Sequence, residues 1–126
     1  MSYTNYLENK ILGHVFGGVA YTAPTKYVGL FTAAPGEAGG GTEVVGNGYA
    51  RQSSTYSVAG NIASNSATIE FPTATGAGWG TLTYLAIFDA VSGGNMLAYA
   101  QLTFPREILA GDVFRIPTGN LTITQD

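Results

Sequence analysis

Short runs in which apolar residues return at every second position, each closed off by Gly, Pro, Asn or Ser, restrict the folds open to this chain more than any other feature. Tyr27-Val-Gly-Leu-Phe-Thr32 sets Tyr27, Gly29 and Phe31 on one side and Val28 and Leu30 on the other. Both faces are apolar, so the strand belongs in the interior of a sheet. Tyr84-Leu-Ala-Ile-Phe-Asp89 repeats that order of aromatic and small residues. Residues 66–71 alternate Ala67, Ile69 and Phe71 with Ser66, Thr68 and Glu70, which predicts a strand wet on one face. A turn over 91–95 leads into a strand over 95–102. Residues 113–117 are expected to form a hairpin with 121–125, with Phe114, Ile116, Leu121 and Ile123 inward. The more polar stretch 49–58 reads as an edge strand on which Arg51 and Gln52 discourage unwanted pairing. The sum is about seven or eight strands, a mainly β chain folded as an antiparallel β-sandwich or jelly-roll-like domain over 1–126.

One segment departs from the period of two. Over residues 5–17, Leu7, Ile11 and Val15 recur every fourth position and predict one short N-terminal helix with an apolar stripe. Asn5 is the expected cap, with Glu8 reaching back to it, and Gly17 and Gly18 end the helix. The stripe requires a cover, supplied either by the domain's own sheet or by a neighbouring subunit on which the helix docks as an arm.

Chemistry-bearing side chains are scarce. The 126 residues include one histidine, no cysteine, five Lys or Arg and eight Asp or Glu, against 18 glycines. Catalysis needs groups of suitable pKa held close together, so the expectation is a protein that is not an enzyme, with no cofactor and no catalytic or metal-binding residues. A net charge of -3 with dispersed cations argues against nucleic acid as a partner. No run approaches the roughly 20 apolar residues of a membrane span, and no signal peptide is expected at the start. His14 has no His, Cys or acidic residue three or four positions away to share a metal. Asp89, Asp112 and Asp126 would hold calcium only if the fold gathered them. Serine lacks a nucleophile-elbow sequence, and Asn120-Leu-Thr122 matches a glycosylation sequon without a secretion signal to give it meaning.

Two loops stand apart. Residues 33–48 carry six glycines and the acids Glu37 and Glu43, and ordering so many glycines is entropically costly. Glu37, Gly39, Gly40, Gly41 and Glu43 are therefore the expected contact with a partner, mobile in the free chain and ordered on binding, with one of the acids meeting a basic group there. The glycines are no phosphate cradle, because no Gly-Lys-Ser/Thr follows them, and the acids sit on too loose a loop for a glycosidase pair. Residues 72–80 carry Trp79, the one tryptophan.

Tyr6-Leu-Glu-Asn-Lys-Ile-Leu12, Tyr27-Val-Gly-Leu-Phe-Thr32, Gly36-Glu-Ala-Gly-Gly-Gly-Thr-Glu43 with Gly48-Tyr-Ala-Arg51, and Trp79-Gly-Thr81 with Ile87-Phe-Asp-Ala90 together resemble small virion proteins of tailed bacteriophages, which are labelled tail-fibre proteins or act as capsid cement or decoration proteins. The resemblance implies a structural role on the virion. The leading expectation is a cement protein on the capsid exterior that bridges the major capsid protein and stabilises the shell. The alternative is a tail-fibre or tail-adaptor subunit that contacts tail proteins and host glycans, the latter through exposed Tyr, Asn and Trp79. An apolar fraction of 45% in one small domain further suggests a homo-oligomer, a dimer or trimer.

Overall fold

The apolar run 27–32 forms the centre of the molecule. In the computed structural model, which describes residues 1–125, it lies in β2 (Lys26–Ala33), with Val28 and Leu30 fully buried on one face and Phe31 buried on the other. One side of β2 pairs with β8 (Gly80–Phe88), then β9 (Met96–Ile108), then the two-residue β1 (Ser2–Tyr3). The opposite edge is shared, with β4 (Gln52–Ser54) on residues 26–28 and β3 (Thr42–Glu43) on Phe31 and Ala33. Two smaller sheets complete the fold. One joins β7 (Ile69–Glu70) to β10 (Arg115–Ile116); the other has the order β11 (Thr122–Thr124), β6 (Ile62–Asn65), β5 (Tyr56–Ala59).

Every pairing is antiparallel, and the core lies between the large sheet and the small ones. Val28, Leu30, Leu82, Leu85, Ile87 and Leu97 meet Ile69, Phe71, Phe114, Ile116 and Leu121 there. Each such side chain contributes about 1.5–3 kcal/mol when fully removed from water. Phe71 also packs edge-to-face on Trp79 and Phe114, with ring centroids 6.4 and 5.8 Å away. The mainly β antiparallel reading holds, but the described residues form eleven strands, because several of the expected ones are broken into pieces of two to four residues.

The breaks have identifiable causes. The stretch 49–58 is divided at Thr55, whose carbonyl and hydroxyl bind Ser66, so β4 joins the large sheet while β5 joins β6. The hairpin expected between 113–117 and 121–125 does not form: β10 pairs with β7, and β11 with β6. Buried Asn65 stands between them. Its amide donates to the carbonyls of Ala67 and Pro117 at 2.9 and 3.0 Å, and its Oδ1 accepts the Leu121 N–H at 3.0 Å. Those bonds hold the turn that a cross-strand ladder would otherwise hold. In the run 66–71 only Ile69 and Phe71 are buried; Ala67 is exposed. A register shift on β8 lets Leu82 and Leu85 both face the core, and β9 bows outward between Gln101 and Arg106, exposing Phe104.

The helix α1 (Asn5–Val15) is shorter than expected and is capped by Thr4, not Asn5. Thr4 wins because it is pinned to β9. Its N–H binds the Leu97 carbonyl at 2.9 Å and its hydroxyl donates to the Met96 carbonyl at 2.6 Å, while Oγ1 accepts the Leu7 N–H at 3.4 Å. No residue of α1 is fully buried, and the domain covers only the start of the stripe: Leu7 packs half-buried against the core, Ile11 is half-buried, and Val15 is exposed. No helix is long and apolar enough to cross a membrane among the described residues.

Candidate functional site

The segment 33–48 folds into a structure of its own. Gly36 and Gly39 exchange backbone hydrogen bonds of 2.8 and 2.9 Å to make a tight tip, and the chain re-enters the large sheet as β3, where the Val44 N–H reaches the Leu30 carbonyl at 3.0 Å. Gly41 permits the return. Its φ is 77°, and a Cβ there would lie 2.7 Å from both the Ala33 oxygen and the Pro35 nitrogen. The Glu37 carbonyl accepts the Asn5 N–H at 2.9 Å, which ties the tip to the start of α1.

Folded in this way, Glu37, Gly39, Gly40, Gly41 and Glu43 all line one open groove of about 550 Å³ on the outer face of the large sheet, opposite the core. Asn5 and Tyr6 of α1, Arg51, and Gly94 to Met96 complete its walls. Its floor is aromatic. Phe31 and Phe88 stack with centroids 6.0 Å apart, and the Arg51 guanidinium lies 3.5 Å from the Phe88 ring centre.

Arg51 holds this face together. Nε and Nη2 donate to the two oxygens of Glu43 at 2.9 and 2.8 Å, and Nη1 donates to the carbonyls of Ala90 and Gly93 at 2.9 and 2.8 Å. The fork of the guanidinium matches a carboxylate in a way that an ammonium cannot. Tyr49 adds a further bond, its hydroxyl donating to Glu43 Oε2 at 2.5 Å while accepting the Leu30 N–H at 3.0 Å. Burial, then the hydrogen bond to Glu43, push the Tyr49 hydroxyl well above its ordinary range, with Arg51 and the Leu30 N–H opposing them. The tyrosine therefore stays a donor. Gly29 leaves room for the cluster, since a Cβ at that position would sit 2.7 Å from Glu43 Oε2 and 3.1 Å from Phe88.

The expectation that either acid waits for a basic partner is thus corrected for Glu43, whose two oxygens are taken up within the chain. Glu37 is exposed on the groove rim, with the Tyr99 hydroxyl 3.5 Å from its carboxylate. Trp79 is buried, its indole N–H on the Asn47 carbonyl at 2.9 Å, and it cannot serve as an exposed sugar platform. His14 is exposed and accepts the Tyr21 N–H at 3.3 Å. Asp89 and Asp112 each cap a separate turn, at the N–H groups of Asn95 and Leu109, and Asp126 lies outside the described residues. No three His, Cys, Asp or Glu side chains converge as a metal site among the described residues.

Reading Arg51 as a guard on an edge strand missed its role. The signal was present: it is the one Lys or Arg between Lys26 and Arg106, eight positions after a glutamate and surrounded by aromatic strands. A solitary cation in such a setting is suited to a buried bidentate pair.

A family model described as podophage GP4 fiber I protein gp80 matches residues 2–124. The chain belongs to that family. No curated protein matches it. The match to the fiber I protein gp80 family takes in α1, the glycine-rich hairpin and both layers of the sandwich. A member of this family is a structural protein of the bacteriophage virion, so the resemblance read from the strand and loop motifs holds at that level.

Proposed function

We propose that this protein is a subunit of the phage tail fibre, working by protein–protein contact among tail components and not by catalysis. The match to a fibre protein over residues 2–124 carries this reading, and supports the tail better than the capsid shell. The groove supports the non-catalytic part. Acid–base cleavage of a glycan needs two carboxylates facing one bond with separately tuned pKa values, and Glu43 is held on Arg51 and Tyr49, leaving Glu37 without a partner of that kind. The bonds of Arg51 join β3 to the turn between β8 and β9, giving a stiff outer face suited to a load-bearing part.

Density from intact particles, or gold-labelled antibody against this chain, tests the placement. The expected signal is confined to the tail, with the temperature of genome release unchanged in particles lacking the protein. Label spread over the shell, with earlier genome release when the protein is absent, would restore the cement reading.

A further inference from the structure

The second half of α1 and the turn behind it form an apolar knob that nothing in the described chain covers. Leu12, Val15, Phe16 and Val19 are 56, 61, 82 and 65% exposed. The knob is not a frayed end. Leu12 accepts the N–H groups of Phe16 and Gly17 at 2.9 and 3.3 Å, and Val19 folds back to place its N–H 2.9 Å from the Gly13 carbonyl. Two glycines make this return possible: a Cβ on Gly17 would meet the Gly13 oxygen at 2.8 Å, and Gly18 has φ 71°. The four side chains are therefore presented on a hydrogen-bonded frame before any partner arrives, which lowers the ordering cost of binding.

Area and charge together indicate the occupant. The four side chains expose on the order of 400–500 Å² of apolar surface. A standard interface takes about 800 Å² from each partner, of which about 65% is apolar in homodimers, so the knob supplies most of the apolar part of one such contact. No Asp, Glu, Lys or Arg occurs between Lys10 and Lys26. A partner of opposite charge would be selected by a charged rim. Two copies of this chain, each carrying a net charge of -3, instead need a meeting surface free of like charges.

We propose that the knob formed by Leu12, Val15, Phe16 and Val19 is a self-association surface, on which a second copy of this chain packs its own knob about a symmetry axis. This inference does not rest on placement in the tail. Sedimentation of the purified chain over a range of concentrations tests it, with Phe16→Asp and Val15→Asp as disrupting variants and Phe104→Asp, on the bowed part of β9, as the control. The wild type and F104D are expected to form the same dimer or trimer, while F16D and V15D run as monomers with unchanged circular dichroism. The chain has no native cysteine, so Val19→Cys should cross-link copies on oxidation and Phe104→Cys should not. A wild type that stays monomeric at its highest soluble concentration, an oligomer that survives F16D, or one dispersed by F104D would each overturn the proposal.

Discussion

The glycine-rich hairpin and the far end of α1 are the two parts of this molecule with the best claim to meet a partner, and folding treats them in opposite ways. The hairpin carries the residues usually associated with freedom, yet its tip, its return strand and one of its two acids are bonded to the rest of the chain. The helix end is an ordinary amphipathic pattern in sequence, yet its apolar atoms are left in water. Glycine at Gly41 serves close approach, not mobility. Whether a segment is available to a partner depends on which donors, acceptors and apolar surfaces remain unmatched after the sheets have formed.

The largest test of this contrast is Arg51→Ala. It leaves Glu43, whose side chain is 22% exposed, without its counter-charge, and strands the carbonyls of Ala90 and Gly93. Removing one member of such a pair costs about 3 kcal/mol or more. Urea unfolding should show that loss, and a loss below about 1 kcal/mol would mean that the hairpin side is no better anchored than a surface loop.

A smaller effect comes from Tyr49. Its hydroxyl is raised above the unfolded value of 10.0, so in alkali the folded chain keeps a proton that the unfolded chain has lost. Stability from this group is intact below pH 10 and declines as pH rises beyond it. Unfolding midpoints followed from neutral pH into that range should fall more steeply for the wild type than for Tyr49→Phe. The variant should begin about 1 kcal/mol lower at neutral pH, because it no longer donates to Glu43. Parallel curves would separate the tyrosine from the clamp.

The smallest expected change is at the other pole. Phe16→Ser at low protein concentration should shift unfolding by no more than about 0.5 kcal/mol, since the side chain touches little. At high concentration the gap between wild type and variant should widen, because association stabilises the folded form by mass action. A large loss at low concentration would show that the helix end is part of the fold.

What the sequence determined by itself is local. Side chains alternate along a strand and recur each turn of a helix, so β2, β8 and α1 were legible from periodicity, as were the turns from Gly, Asn and Pro and the scarcity of titratable chemistry from composition. The five loop residues proposed for contact do share one groove. Only the tertiary structure decided the rest. Whether Arg51 guards an edge or grips Glu43, whether Trp79 is open or buried, whether β10 pairs with β11 or β7, and whether the stripe of α1 finds a cover all depend on groups far apart in the chain. Asn65 shows why: one buried amide binding Ala67, Pro117 and Leu121 redirects strands that periodicity alone would have paired, because an unmatched polar group in the core costs more than a two-residue ladder gains.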